Sequence, residues 1–338
     1  MLDVRTPQQV VSAVAVAAAL AVAGSACGSG DEATADDPDR PNVVTTVSPL
    51  TSIVANVVGD RAEVRGLVPE GVNSHTFEPP PSAARALAGA DVVFVNGLQL
   101  EDPTRELAAA NLKDGAEVVE LGNRTISPEQ YIYDFSFPRE EGRPNPHLWT
   151  NPPYARDYAR IVRDTMSARD PANAAEYAAN YDRFAGKVDE LDAALRAASA
   201  TVPRRELLTY HDAYAYFARD YGWRVIGAIQ VSDFEEPTPR EVAALIQQVR
   251  EVGVPAIFGS EVFPSPVLAQ IGAEAGVRYV DTLRDDDLPG APGDPDHSWL
   301  GLMKFNFVTM VESLGGDATA LKAVQVADAA PDNAVYPQ

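Results

Sequence analysis

The 338 residues include a single cysteine, Cys27. That excludes an intrachain disulfide, a paired-cysteine zinc motif and a thiol nucleophile working with a buried base. Basic residues are also scarce, with 27 Lys and Arg against 49 Asp and Glu, for a net charge of -22. A nucleic-acid partner is therefore excluded, because a phosphate backbone demands Lys and Arg. The only apolar run of note is Val10 to Ala23, 14 residues long, too short to span a bilayer comfortably. No HExxH stretch, Gly-x-Ser-x-Gly elbow or P-loop occurs. An enzyme reading thus lacks a nucleophile or base with a defined position. Histidine is nearly absent as well, with four in the chain.

What is present is globular: 46% apolar and 8% aromatic residues, in a chain long enough for two domains with real cores. The acidic surface keeps the protein soluble and mildly attracts cations. Val10 to Ala23 followed by Gly24, Ser25, Ala26 and Cys27 has the layout of a signal peptide with a small-residue cleavage site. It also resembles the lipobox of bacterial lipoproteins, where the cysteine is lipidated and becomes the mature N-terminus. Gly24 stands where that motif usually has Leu or Val. Residues 1–26 are thus expected to be a lipoprotein-type signal peptide, and 27–41 a flexible tether rich in Gly, Asp and Pro.

From about Asn42 onward, strand and helix patterns alternate. Val43–Val47, Ala62–Val68, Asp91–Asn96 and Ala116–Leu121 read as strands, with helices at Leu50–Val58, Glu101–Leu112 and Pro152–Met166. A further helix is expected through Ala90, opened by Ser82 as N-cap after the prolines. Then Tyr177, Tyr181, Phe184, Val188, Leu191, Leu195 and Ala198 recur at steps of four and three. That is one apolar stripe on a helix of about 28 residues, roughly 42 Å long. After Pro203 the alternation resumes, with strands near Glu206–Tyr210, Arg224–Gln230, Pro255–Gly259 and Val277–Leu283 and a last long helix at Trp299–Leu314. The expected fold is α/β: two lobes, each a parallel-type sheet flanked by helices, joined by one long spine helix. The boundaries are an N-terminal lobe at 42–170, the connecting helix at 171–202, a C-terminal lobe at 203–322 and a polar tail at 323–338.

Three histidines, His75, His147 and His211, fall near expected strand ends, 72 and 64 residues apart, and Asp286 follows 75 residues later at a similar place. Ligands of parallel α/β sheets gather outside the carboxyl ends of strands. Taken singly, a histidine in a loop is ordinarily solvated, and Asp285–Asp287 is an ordinary acidic turn. Together they make one metal site closed between the two lobes. Imidazoles plus a carboxylate suit Zn²⁺ in a tetrahedral shell, and four protein ligands leave no open position for an activated water. Such a site captures an ion rather than catalyses. The remaining histidine, His297, is assigned to solvent.

Here the sequence resembles a known family over about residues 42–316. Val47-Ser48-Pro49-Leu50 opens the first lobe. Asn73-Ser74-His75-Thr76-Phe77-Glu78-Pro79, Pro146-His147-Leu148-Trp149 and Tyr210-His211-Asp212-Ala213-Tyr214 look like three ligand loops. Leu283–Leu288, followed by Ser298-Trp299-Leu300-Gly301, looks like the fourth. This chain resembles the metal-binding solute-binding lipoproteins of bacterial zinc and manganese ABC transporters, the ZnuA/TroA/PsaA group. The resemblance implies metal held in the interlobe cleft by His75, His147, His211 and Asp286, with Asp285 as the rival fourth ligand and Glu261 beside the site. It also implies a permease partner with a cytoplasmic ATPase, no enzymatic activity, a monomer, and anchoring to the outer face of the cytoplasmic membrane, or a periplasmic location. Many zinc-binding members carry a long His-rich loop between the first two ligands; here Tyr131 to Pro146 is short and has no other histidine.

Three imidazoles and one carboxylate favour Zn²⁺, with Mn²⁺ as the alternative, because manganese is harder and prefers more oxygen ligands. Manganese-selecting members tend to carry a carboxylate where His211 stands. Two further readings are an exported zinc hydrolase using Glu261 as base, and a surface adhesin whose metal is structural. Protons competing for imidazole near its ordinary value of about 6.5 predict release of the ion in acid.

Overall fold

The computed structural model describes residues 40–229, 238–260 and 265–338. The signal peptide, Cys27, most of the tether and Glu261 lie outside the described residues. Eight strands form two sheets: β1 (Asn42–Val44), β2 (Glu63–Arg65), β3 (Val92–Val95) and β4 (Glu117–Glu120) in the first, β5 (Glu206–Thr209), β6 (Arg224–Ala228), β7 (Ala256–Ser260) and β8 (Arg278–Leu283) in the second. Every pairing is parallel, in the orders β2-β1-β3-β4 and β6-β5-β7-β8. Both sheets therefore follow one plan, second-first-third-fourth, as a βα arrangement used twice would give. β3 reads Val-Val-Phe-Val and is buried throughout, as a strand covered by helices on both faces must be.

The spine is one helix of 28 residues, Ala174–Thr201. Tyr177, Phe184, Val188, Leu191, Leu195 and Ala198 of its stripe are buried, and Tyr181 is half-buried. Burial of each large apolar side chain contributes roughly 1.5–3 kcal/mol, which offsets the modest intrinsic stability of an isolated helix. The stripe packs on helices Pro152–Arg169, Ser48–Val58 and Trp299–Ser313; Phe184 meets Trp299 at 5.7 Å between ring centroids. Val43 and Phe94 from the first sheet and Leu207 and Phe258 from the second belong to the same apolar core as this stripe. The two lobes thus share one core across the spine.

Three expectations are corrected. Ser82 does not cap its helix: the helix runs Pro81–Gly89 with Pro80 at the N-cap and no side-chain cap bond, because Pro81 already has the helical φ and opens the helix one residue before Ser82. Residues 323–338 are not a solvated tail. Val324, Val326 and Tyr336 are buried, and the backbone of Val335 pairs beside β2, its N–H donating to Val64 O and its carbonyl accepting from Gly66 N, each at 2.9 Å. The segment covers an edge that would otherwise be open. Finally, His297 is buried beneath it, with Tyr336 edge-on at 4.8 Å and Nδ1 3.3 Å from Pro289 O.

Candidate metal site

His75 sits in a single 3-10 turn, Ser74–Thr76, ten residues past β2. The Asn73 side chain caps that turn by accepting the His75 N–H at 2.9 Å. His147 is the N-cap residue of a second such turn, Leu148–Thr150, which leads into the helix at Pro152. His211 alone lies directly beyond a strand, two residues after β5. The sequence placed all three at strand ends; two are in fact carried by short turns in longer loops.

These loops bring the three Nε2 atoms together. His147 Nε2 lies 3.3 Å from His75 Nε2 and 3.2 Å from His211 Nε2, and all three ligand atoms lie within 4.8 Å of one another. Zn–N bonds of 2.0–2.1 Å in a tetrahedron put ligand nitrogens about 3.3 Å apart, which the two distances from His147 match. His147 and His211 are buried and His75 half-buried.

The tautomer of His147 follows from its neighbours. Asn145 Nδ2 donates to Asp134 Oδ2 at 2.8 Å and to Asp212 O at 2.6 Å. Both of those atoms only accept, so the amide orientation is determined. Asn145 Oδ1 therefore faces His147 Nδ1 at 3.0 Å and also accepts the His147 backbone N–H. Nδ1 must carry the proton, which leaves the Nε2 lone pair aimed at its two partners. Burial, then the neighbouring imidazole of His211, holds His75 and His147 well below the ordinary histidine range; both are neutral, the ligand form.

No carboxylate among the described residues joins the three imidazoles at that spacing. Asp286 is nonetheless directed into the same junction. Its Oδ2 accepts from Ser74 Oγ at 2.5 Å, on the residue before His75, while its buried Oδ1 has no hydrogen-bond partner among the described residues. An orphaned carboxylate oxygen in a buried site is costly unless a cation meets it. Asp285 accepts from Ser260 Oγ at 3.3 Å and lines a small recess with His211 and Tyr214. Asp287 accepts the Gly71 N–H with both oxygens, at 2.9 and 3.0 Å. Burial first, and then mutual repulsion, raises these acids: Asp285 to about 6, and Asp286 well above the carboxylate range.

Residues the sequence reading missed complete the site. Trp149 Nε1 donates to Asp285 O, and Trp299 Nε1 donates to Trp149 O, both at 2.9 Å. Asn306, on the last long helix, brackets Arg284 by donating to its carbonyl at 2.6 Å and accepting its N–H at 3.0 Å. These bonds aim the loop after β8. Phe137 packs on all three imidazoles. A tryptophan two residues past His147 was visible in the sequence; nothing there distinguished Phe137 or Asn145 from ordinary loop residues.

Residues 43–313 match the family of the periplasmic zinc-uptake complex component A, ZnuA. The manganese-binding lipoprotein MntA of Halalkalibacterium halodurans is 30% identical over 87% of this chain and 95% of its own length. The iron-binding protein YfeA of Yersinia pestis is 27% identical, covering 83% and 88%. Among solved structures, the periplasmic zinc-binding protein TroA of Treponema pallidum superposes with a TM-score of 0.73 at 26% identity, covering 81% of this chain and 99% of that one. The family consists of solute-binding proteins, which removes the hydrolase reading. No helix among the described residues is long and apolar enough to cross a membrane. The chain belongs to the ZnuA family, the metal-binding substrate-binding proteins of ABC transporters.

Proposed function

We propose that this protein captures Zn²⁺ outside the cytoplasm and hands it to a membrane permease driven by an ATPase. The observation that carries the reading is the meeting of three imidazoles from both lobes, with His147 Nε2 3.2–3.3 Å from the other two Nε2 atoms and all three ligand atoms within 4.8 Å. His75, His147 and His211 supply three ligands and Asp286 the fourth; its orphaned oxygen supports that choice over Asp285, whose Oδ1 is engaged by Ser260. The lobes span 42–170 and 203–322 about the connecting segment 171–202. The protein acts as a monomer tethered through a lipid on Cys27, the mature N-terminus after removal of residues 1–26.

Manganese is the second reading, supported by the name of the 30% identical relative. Uptake of radiolabelled zinc and manganese by cells lacking the gene separates the two. A zinc defect restored by the wild-type gene but not by His147→Ala is the expected result. A defect confined to manganese would establish the second reading, and no defect for either ion would contradict both.

A further inference from the structure

The loop between β4 and His147 carries a feature that the transporter reading does not use. Asp134 builds a tight turn: its Oδ1 accepts the N–H of Ser136 at 3.0 Å and of Phe137 at 3.1 Å, and its own N–H donates to Phe137 O at 2.9 Å. The turn is fastened to the second lobe. Asp212 N donates to Ser136 Oγ at 3.2 Å, and Asn145 ties Asp134 to the Asp212 carbonyl. Neighbouring Phe135 is 47% exposed, whereas Phe137 is 7% exposed. Its phenyl centroid lies 5.5 Å from His75, 5.7 Å from His147 and 5.5 Å from His211. The imidazole centroids are themselves 4.8 to 5.1 Å apart. A ring nearly equidistant from three rings lies near the axis they share, where a ligand beyond the three imidazoles and Asp286 would have to approach the ion.

We propose that Phe137 determines the ion specificity of this site by closing the imidazole trio to water, which limits the ion to few ligands, favours zinc over manganese and slows release. The inference rests on the trio being the metal site. Zinc is satisfied by four ligands, whereas manganese prefers more ligands, with oxygen among them. Water would supply those oxygens, but it needs polar partners to settle, and a phenyl ring offers none.

The test uses the mature protein with Co²⁺, whose visible absorption is strong in a tetrahedral shell and weak when waters raise the coordination number. Wild type and Phe137→Leu should give the strong spectrum. Phe137→Ala should weaken it, narrow the zinc-over-manganese ratio in competition titrations by about tenfold to a hundredfold, and speed loss of zinc to a chelator. Phe137→Val should fall between, and it carries the test if the alanine variant does not fold. Unchanged spectra and ratios in the folded alanine or valine variant would overturn the role of Phe137. A wild type that binds neither cobalt nor zinc would instead bring down the metal site itself, and the inference with it.

Discussion

An imidazole holds a cation only while its ring nitrogen is free of a proton, and a carboxylate only once it has lost one. In this site the two kinds of group have moved in opposite directions. His75 and His147 are depressed by burial and by neighbouring imidazoles, so protons compete for them below the value of about 6.5 expected from the free side chain. Asp285, raised to about 6, and Asp286, raised well above the carboxylate range, take up protons more readily than free acids, and those protons compete with an ion. Acid should therefore release the ion chiefly by protonating the carboxylates, and the histidines contribute only at lower pH. Zinc affinity should fall as pH drops below neutral. Asp286→Asn should weaken binding at neutral pH by at least about a hundredfold and flatten that pH profile, measured by competition titration. An unchanged profile with Asp285→Asn losing affinity instead would transfer the ligand role to Asp285. His211→Glu should shift preference toward Mn²⁺ by adding a hard oxygen donor; unaltered relative affinities would count against it. The three histidines were legible because the chain has so few. Their support was not: Asn145, which sets the His147 tautomer, is an ordinary asparagine until the fold brings Asp134 and Asp212 to its amide.

The spine helix and the docked C-terminal segment show where local pattern suffices and where it does not. A single apolar stripe dictated the helix to within its bounds, since a 3.6-residue period needs no partner to be recognised. The last sixteen residues have no period, and their apolar members are spaced among Asp, Pro and Ala. Only the open edge of β2 and the packing of Tyr336 on His297 give them a place. Tyr336 is buried there, and its hydroxyl donates to Asp332 Oδ2 at 2.5 Å. Tyr336→Ala should lower the free energy of unfolding by about 3 kcal/mol in denaturant melts while leaving zinc affinity near wild type. A loss of affinity matching the loss of stability would mean that this segment acts on the site rather than on the fold. Turn-borne residues misled the sequence reading for a related reason. His75 and His147 lie far beyond the strands that precede them, and the 3-10 turns that present them are too short to leave a pattern.

Across the whole molecule, one core runs from the first sheet over the spine to the second. Hinge closure of the kind seen between separate domains would break that core, so ion binding should move only the loops and produce a modest tilt. Solution scattering should show almost no compaction on adding zinc; a large fall in radius of gyration would contradict a shared rigid core. Stability should respond instead. Without the ion, the depressed histidines lose stability as pH falls below about 6.5, because the unfolded chain takes up protons that the folded one refuses. Asp285 acts the other way, losing stability as pH rises through about 6 and the buried acid ionises. Zinc relieves the second cost, so its gain in Tm should be largest above neutral pH and shrink on acidification.

The central claim is that side chains from both halves of the chain share one divalent ion. X-ray absorption of the zinc-loaded mature protein addresses it directly. The expected spectrum is one zinc per chain with three imidazole nitrogens and one carboxylate oxygen at about 2.0–2.2 Å, losing an imidazole in each of the single variants His75→Ala, His147→Ala and His211→Ala. Zinc bound by fewer than three imidazoles, or a spectrum indifferent to those substitutions, would contradict the account.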